Sequence, residues 1–235
     1  MFKPDDNNFE QSHFAVVLAL TKENLEKYKK EEKALSDELY TLLETYGAKD
    51  IEALSMIDNL QVMYERAQHE AARAERARQK PFFGRIDFVD DKHKSNDTIY
   101  IGKVGISRDV THLEVIDWRA PVANSYYESH IGEVTYSVPG EGSFVIDLKK
   151  KRTYEIKDDT LLSFFDSDVV ANDELLNRYL SQNKKAVLGE IIATIQKEQN
   201  DIIRQSPYKS IIVQGAAGSG KTTVAMHRIS YICLL

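Results

Sequence analysis

The first 80 residues of the chain carry apolar side chains at alternating steps of four and three residues. In the first half, this seam runs through Phe14, Leu18, Leu25, Tyr28, Leu35, Leu39, Leu42 and Tyr46, with the polar residues Thr21 and Glu32 at two of its positions. In the second half, it runs through Ile57, Leu60, Tyr64, Ala67, Ala71 and Ala74. Such steps place the side chains along one face of a helix, as in a coiled coil. The pattern therefore predicts two long helices that pack along their seams.

The break between the two seams predicts how the helices are connected. Gly47 can end the first helix and Asp50 can cap the second, because glycine favours the conformation that follows a helix and aspartate binds the free N–H groups at a helix start. A connection this short makes two helices antiparallel neighbours. At 1.5 Å per residue, the hairpin should be roughly 45 Å long or more. We predict an antiparallel coiled-coil arm at residues 1–80.

Acidic residues are concentrated near the predicted turn of the arm. Between residues 37 and 58 the charged side chains are Asp37, Glu38, Glu44, Asp50, Glu52 and Asp58, against the single base Lys49. The end that joins the rest of the chain carries Arg66, Arg73, Arg76, Arg78 and Lys80. Two interpretations remain open. The hairpin is half of an ordinary helical bundle, or it is a protruding arm whose acidic tip contacts a basic or metal-bearing partner.

Residues 81–158 change to the pattern of β-strands. Runs of alternating, β-branched and aromatic residues at 85–89, 98–101, 113–116, 133–136 and 143–148 are separated by turn-forming clusters. We predict a small antiparallel sheet of about five strands. The basic stretch at 149–152 is interpreted as a solvated strand end, with contact to phosphate or nucleic acid as the less common alternative.

Residues 159–235 are predicted to turn helical and then to form the start of a second kind of domain. Two apolar stripes indicate helices and comprise Leu175, Leu176, Tyr179, Leu180, Val187, Leu188, Ile191, Ile192 and Ile195. The β-branched run at 210–214 predicts a buried parallel strand, and residues 222–235 have near-helical apolar spacing. No long Gly/Ser linker separates the three regions, so the sheet should pack against the elements that follow it.

Between that strand and helix, residues 215–222 read GAAGSGKT, which fits the phosphate-loop pattern G-x-x-x-x-G-K-[ST]. Its glycines allow backbone conformations in which successive N–H groups point at phosphate oxygens. Lys221 can bring its charge to the β- and γ-phosphates of ATP, and Thr222 can place its hydroxyl on Mg²⁺. The alternative, a glycine-rich turn that only reverses the chain, is disfavoured by the order of strand, loop and helix.

The candidate site residues follow from this motif and from one residue upstream. The predicted ATP-binding residues are Gln199, Gly215, Ala216, Ala217, Gly218, Ser219, Gly220, Lys221, Thr222 and Thr223. Lys221 and Thr222 are the catalytic candidates, and Thr222 is the candidate Mg²⁺ ligand. Gln199 is included because a glutamine amide at this position can both accept from and donate to the edge of adenine. The alternative for Gln199 is an ordinary solvated helix residue.

Two stretches carry a family resemblance. The string IQKEQNDIIRQSPYKSIIVQGAAGSGKTTVAMHRISYI resembles the opening of superfamily-1 helicases of the UvrD type. The stretch Asp117-Trp118-Arg119-Ala120-Pro121-Val122, followed by Ser125-Tyr126-Tyr127-Glu128, and the heptad hairpin ahead of the loop narrow this resemblance. Together they are similar to the HelD class of helicase-like ATPases, which bind bacterial RNA polymerase. From the residues themselves, we expect Trp118 to pack at a strand end before a turn that Pro121 directs.

The resemblance implies a mixed fold, a partner and a reaction. The expected order is a coiled-coil arm, a small sheet at 81–158, and at 159–235 the incomplete start of a RecA-like phosphate-loop motor. The arm is expected to reach into the polymerase secondary channel, and ATP use to help release the polymerase from nucleic acid. ATP and Mg²⁺ are the implied cofactors, and DNA contact is implied for a full-length motor. The single cysteine, Cys233, fits a reducing cytoplasm.

The sequence departs from the family after the phosphate loop, since no second acidic motif follows it here. A motor of this type also needs arginines from a second lobe to stabilise the transition state. We therefore expect weak nucleotide binding and negligible hydrolysis from this chain alone. We also expect the last helix to be exposed or poorly packed.

Composition excludes several other classes of protein. The net charge of −6 argues against a protein that coats nucleic acid, and no apolar run approaches the ~20 residues of a membrane helix. The six histidines lack metal-ligand spacing. Three functions remain open: an ATP-driven remodeller of RNA polymerase, an ATP-independent polymerase-binding module, and the start of a DNA-repair helicase. The long arm counts against the third.

Overall fold

A computed structural model describes residues 6–46, 51–90, 95–109, 111–128, 130–166 and 197–233. Two long helices lead into a curled mixed sheet that resembles half a barrel, and two shorter helices pack on the sheet. The predicted turn residues Gly47 and Asp50 and the apolar stripes at 175–195 lie outside the described residues.

The arm consists of α1 (Asn7–Tyr46) and α2 (Ile51–Gln79). Every predicted seam residue except Tyr46 is buried or half-buried, so the two seams are confirmed. Thr21 fits its buried position because its hydroxyl donates to the carbonyl of Leu18 at 2.7 Å. The start of α1 packs with the end of α2, as Phe14 and Ala77 share one core cluster. The helices are therefore antiparallel.

Seven strands of the sheet lie among the described residues. They are β1 (Gly84–Asp90), β2 (Ser95–Gly102), β3 (Ile106–Ser107), β4 (Leu113–Asp117), β5 (Gly132–Val138), β6 (Gly142–Lys157) and β7 (Thr160–Asp166). The strand order is β3-β4-β2-β1-β6-β5, and β7 lies outside this order, paired with the last residues of β6. The 16-residue β6 is long enough to pair with β1, β5 and β7 along different parts of its length.

The observed sheet differs from the predicted one in composition and extent. It has seven strands rather than about five, and β2 pairs with β4 in parallel, so the sheet is mixed. It also continues past residue 158, where we expected helix. Asp158 and Asp159 have φ of 49° and 62° and form a two-residue hairpin turn into β7. This left-handed geometry matches the twist of paired strands and is tolerated by aspartate.

Two hydrophobic clusters hold the fold together, one on each side of the sheet's central strands. The first joins the sheet to the arm and contains Phe14, Val17, Ala77, Phe82, Tyr100, Ile106, Val115, Tyr154, Ile156 and Leu161. The second joins the sheet to the 3₁₀ helix Pro121–Tyr127 and to the two last helices, and contains Ile86, Phe88, Ile101, Trp118, Ala123, Tyr126, Val134, Ile146, Leu148, Ile203, Val224 and Tyr231. The root of the arm is thus packed against the sheet through a shared core, rather than joined to it only by a flexible linker.

A buried set of charges fastens the first turn of α1 to the sheet. We call Glu10, Arg85, Asp87, Arg152 and Asp166 the root cluster. Both arginines donate to Oε1 of Glu10, at 2.6 Å from Arg85 and 2.8 Å from Arg152. Each arginine is also paired with both oxygens of an aspartate, Asp87 for the first and Asp166 for the second. Glu10 and Arg85 are fully buried, so their pairing replaces the water that each charge has lost.

Two tyrosines complete the shell around the Glu10 carboxylate. The hydroxyls of Tyr100 and Tyr154 donate to its Oε2 at 3.1 and 2.8 Å. Burial raises the pKa of both tyrosines, so their hydroxyls stay protonated and remain donors. The interpretation of 149–152 as a solvated strand end is wrong for Lys151 and Arg152. Both side chains are buried, because α1 and neighbouring elements cover this part of β6.

Among the residues that the structure describes, no helix combines the length and the apolar character that crossing a membrane requires.

Candidate nucleotide-binding loop and its supports

The phosphate-loop motif leads directly into the last described helix. We label the helix of Lys197–Ile203 α3 and the helix of Lys221–Ile232 α4. Gly218 and Gly220 have φ of 81° and 84°, in the left-handed region that favours glycine. The loop closes tightly, since a Cβ on Gly215 would lie 2.5 Å from the side-chain oxygen of Ser219. These glycines therefore have the geometry for which the motif uses glycine.

Lys221 lies over its own loop. Its Nζ donates to the carbonyl oxygens of Gly215 at 2.8 Å and Ala216 at 2.6 Å. Phosphate oxygens can accept the same N–H groups, so the lysine is within reach of a ligand seated in the loop. Thr222 and Thr223 are exposed in the first turn of α4, and Ala217 is exposed in the loop.

The surroundings of the loop favour an anion. The amino end of the 12-residue α4 follows the loop, and the first turn of this helix contains no acidic residue. The N–H groups at a helix start carry partial positive charge, which adds to the charge of Lys221. These are the features that the predicted role in binding phosphate groups requires.

The structure brings Gln199 next to the loop. The side-chain Nε2 of Gln199 lies 3.4 Å from the carbonyl oxygen of Ser219, to which it donates. A Cβ on Gly220 would lie 3.3 Å from the same nitrogen. The amide is thus at the edge of the predicted site, and its contact with adenine stays a prediction.

The predicted buried strand at 210–214 is not formed. The segment has no regular secondary structure, Ile212 is 94% exposed, and none of the strands described between residues 84 and 166 pairs with it. A parallel strand needs a neighbouring strand to satisfy its backbone groups, so the apolar run alone does not produce one.

The expectation that the last helix is poorly packed is wrong for one of its faces. Val224 and Tyr231 of α4 are buried in the same cluster as Trp118 and Ile203. The opposite face carries Met226 and Ile229, which are 65% and 58% exposed. The sheet, the Trp118 ring and α3 cover this face of α4.

One short segment at the end of β4 and in the turn after it contacts both helices that touch the loop. We call Asp117–Pro121 the docking segment. As expected, Trp118 is buried directly after β4 and Pro121 begins the 3₁₀ helix. The ring of Trp118 meets the ring of His227 edge-on at 5.3 Å. Burial and the charge of Lys103 lower the pKa of His227, which favours the neutral imidazole in this contact.

Three arginines complete the docking, and sequence analysis assigned none of them a role. Arg119 pairs with both oxygens of Asp117 and donates to the carbonyl of Ser230 in α4 at 3.2 Å. Arg204, directly after α3, donates to the carbonyl of Trp118 at 2.6 Å and also reaches those of residues 119 and 120. Its guanidinium lies over the ring of Tyr231. The sequence contains these arginines, but it does not indicate which backbone carbonyls the fold brings within hydrogen-bonding distance of them.

The third arginine, Arg228, belongs to the MHRI stretch of α4. It donates to the carbonyls of Ile202, Ile203 and Gln205 at 2.9–3.2 Å, and to that of Ser206 at 3.0 Å. These carbonyls lie at the end of α3 and in the turn that follows, where a helix leaves carbonyl groups in need of donors; those of Ile202 and Ser206 also accept from the backbone N–H groups of Gln205 and Lys209. Arg228 therefore makes α3 and α4 one unit.

The far half of the arm presents acidic and apolar side chains to solvent. Asp37, Glu38, Glu44 and Asp58 are exposed, and Asp50 lies outside the described residues. Exposed apolar residues lie among them, namely Tyr40, Leu43, Tyr46, Leu54, Met56, Val62 and Met63. The described surface of this half of the arm is therefore both acidic and apolar.

Among the described residues, no group of three or more His, Cys, Asp or Glu side chains is placed to hold a metal ion. At the loop, the residue that could bind Mg²⁺ is Thr222, whose hydroxyl is exposed. The phosphates of ATP would supply further oxygen ligands.

The model of one protein family matches the chain. It describes the N-terminal domain of DNA helicase IV HelD, and it covers residues 8–183. The match includes the arm, the sheet and the docking segment, and it ends before the phosphate loop. A search of curated proteins found no match.

Proposed function

The chain belongs to the family of the HelD N-terminal domain, and on that premise we propose that it is part of an ATP-driven remodeller of bacterial RNA polymerase. The arm, residues 1–80, binds the polymerase. Residues 215–223 bind ATP, and its hydrolysis by a complete motor helps to release the polymerase from nucleic acid. This activity places the protein in the cytoplasm and brings DNA within reach of the motor.

The geometry of the loop is the observation that carries the proposal. The family match ends at residue 183, so the nucleotide site is supported by the loop itself. Left-handed Gly218 and Gly220, the amino end of α4 and Lys221 are the groups with which a phosphate loop binds its anion, and here they lie together. A turn that merely reversed the chain would require neither the lysine nor the helix start.

Each candidate residue then has one task. The loop N–H groups and Lys221 bind phosphate oxygens, and Thr222 offers its hydroxyl to the Mg²⁺ that accompanies ATP and neutralises phosphate charge. Gln199, 3.4 Å from the loop carbonyl of Ser219, turns its amide to adenine. Hydrolysis needs an additional carboxylate and arginines, so this chain alone binds ATP without turning it over at a useful rate.

A lysine substitution tests the nucleotide site. Lys221→Ala should weaken binding of Mg²⁺-ATP by about tenfold or more, because a charge-assisted contact to the phosphates is lost. Binding is measured by titration calorimetry or with a fluorescent ATP analogue. The matched control is Lys209→Ala, which removes an exposed lysine upstream of the loop and should leave the affinity unchanged. Equal affinity in both variants would refute the phosphate role of Lys221.

Charge reversal tests the arm. Changing Asp37, Glu38 and Glu44 together to lysine should weaken binding to purified RNA polymerase by about tenfold or more, since an acidic tip would then meet its partner with the wrong sign. The same change at Glu23, Glu26 and Glu31, which are exposed nearer the root, should have a smaller effect. If both triple variants bind like the parent chain, the acidic tip is not the contact.

The alternative is a polymerase-binding module that works without ATP. It is favoured by one observation: the family match and the root of the arm both lie before the phosphate loop. In that case Lys221→Ala would leave polymerase release unchanged in the whole protein. A DNA-repair helicase would instead unwind duplex DNA with an arm that binds no polymerase.

A further inference from the structure

Both helices that contact the predicted phosphate loop are attached to the docking segment. α4 begins at Lys221 in the loop, and its last turn receives a hydrogen bond from Arg119 at Ser230. α3 touches the loop through Gln199, and Arg204 directly after it binds the carbonyl of Trp118. A movement of the loop can therefore reach residues 117–121 both through α3 and through α4.

The docking segment in turn leads to the root of the arm. It continues β4, which pairs in parallel with β2 at Ile101↔Ile116. The N–H of Trp118 donates to the carbonyl of Gly102 in β2 at 2.9 Å. Tyr100, two residues earlier in β2, donates its hydroxyl to Glu10 in the first turn of α1. A continuous series of short contacts thus joins the loop to the arm.

Arg119 joins the contacts on the loop side of the docking segment to those on the arm side, because it lies in the docking segment and binds Ser230 of α4. Asp117 holds its guanidinium by bonds at 2.8 and 2.6 Å, while the remaining nitrogen reaches the Ser230 carbonyl. Because two of its nitrogens bind the two oxygens of one carboxylate, the planar guanidinium is held in place and the direction of its third bond is restrained. Only 18% of the Arg119 side chain is exposed, which limits competition from water.

We propose that Arg119 is a positioning residue that couples ligand binding at the phosphate loop to the arm. The inference rests on the proposed nucleotide site. When phosphates order the loop and the start of α4, the restraint passes through α4 and Arg119 to the docking segment, β2 and the first turn of α1. Coupling of this kind needs no large displacement, because reduced motion at one site lowers the entropy left to lose at the other.

Hydrogen exchange followed by mass spectrometry tests the coupling on the chain as it stands. In the parent chain, a saturating non-hydrolysable ATP analogue with Mg²⁺ should slow exchange in the loop and α4, and also in the docking segment and the first turns of α1, by about threefold or more. In Arg119→Ala the loop should still be protected, whereas the response in the docking segment and α1 should be lost. Arg119→Lys should behave alike, because lysine keeps the charge but cannot hold both acceptors.

The control variant is Arg108→Ala. It removes an exposed arginine that pairs with Glu114 at 3.0 Å in the same part of the sheet, and it should keep the full parental response. If Arg119→Ala detaches α4 from the docking segment before any ligand is added, Arg119→Lys still tests the coupling, because lysine keeps the positive charge at this position.

The outcomes separate the two proposals. No protection at the loop of the parent chain would overturn the nucleotide site, and the coupling with it. Protection at the loop without a response in the docking segment and α1 would overturn the coupling alone. A parental response at α1 in both Arg119 variants would show that the coupling runs through other residues, and the role of Arg119 would be wrong.

Discussion

Replacing Glu10 by alanine is expected to lower the free energy of unfolding by about 3–5 kcal/mol, the usual effect of removing one partner from a buried ion pair. The change leaves Arg85 and Arg152 close together without the carboxylate that both of them bind. It also removes the acceptor of the Tyr100 and Tyr154 hydroxyls. Urea unfolding followed by circular dichroism measures the loss.

Two further variants separate charge from packing at this position. Glu10→Gln keeps the size of the side chain and part of its hydrogen bonding, so its effect should fall between those of alanine and the parent. Glu23→Ala removes an exposed glutamate from the same helix and should change stability by less than about 0.5 kcal/mol. If Glu10→Ala were as mild as Glu23→Ala, the root cluster would not hold the arm to the sheet.

Gly102→Ala should be the second severe change, with an expected loss of about 3 kcal/mol from overpacking. A Cβ at this position would lie 2.5 Å from the carbonyl oxygen of Pro81, 2.9 Å from Cγ1 of Val115 and 3.0 Å from the carbonyl oxygen of Val104. Two of these atoms belong to the backbone and cannot rotate away. Thermal unfolding of the variant, compared with that of the parent chain, measures the effect.

Gly105→Ala is the matched control, because it adds the same methyl group three residues away. Its Cβ would lie 3.6 Å from the carbonyl oxygen of Val115 and 3.7 Å from the backbone nitrogen of Asp117, both ordinary contact distances. Stability should stay constant or rise by about 0.5 kcal/mol, since alanine restricts the unfolded chain. Equal losses of stability in both variants would mean that the close contacts at Gly102 are not what excludes a side chain from this position.

The arm was the most predictable part of the fold. Its helices follow from a local repeat, and each seam residue from Phe14 to Leu42 is buried or half-buried as the repeat requires. Strand positions followed in the same way from local alternation. In both cases the sequence pattern reports which face of an element is covered, although it does not report what covers it.

The root cluster could not be predicted, because its members are far apart in the sequence. Arg152 lies in a basic stretch that locally resembles a solvated strand end, and Glu10 resembles an ordinary surface residue of an amphipathic helix. Only the fold brings these two residues, 142 positions apart, within 2.8 Å. A charged residue can therefore be a core residue when its partner comes from another element.

The candidate site shows the same division between local and distant information. The conformations of Gly218 and Gly220 follow from the motif alone. The failure of 210–214 to form a strand and the docking of α4 on Trp118 depend on which neighbours are present. Arg119, Arg204 and Arg228 bind backbone carbonyls, which every residue has, so no sequence signature marks their targets.

The root cluster has a consequence for the direction of the arm, because the root cluster anchors α1 near one end, at Glu10, and the helix extends from there to Tyr46. Its 40 residues span about 60 Å, so a tilt of one degree at the root sweeps the far end through an arc of about 1 Å. A small change in the lengths of the Glu10 bonds is magnified on the way to Tyr46. Substitutions in β1 or β6 can therefore change the position of the far end of α1 without altering any residue of that end.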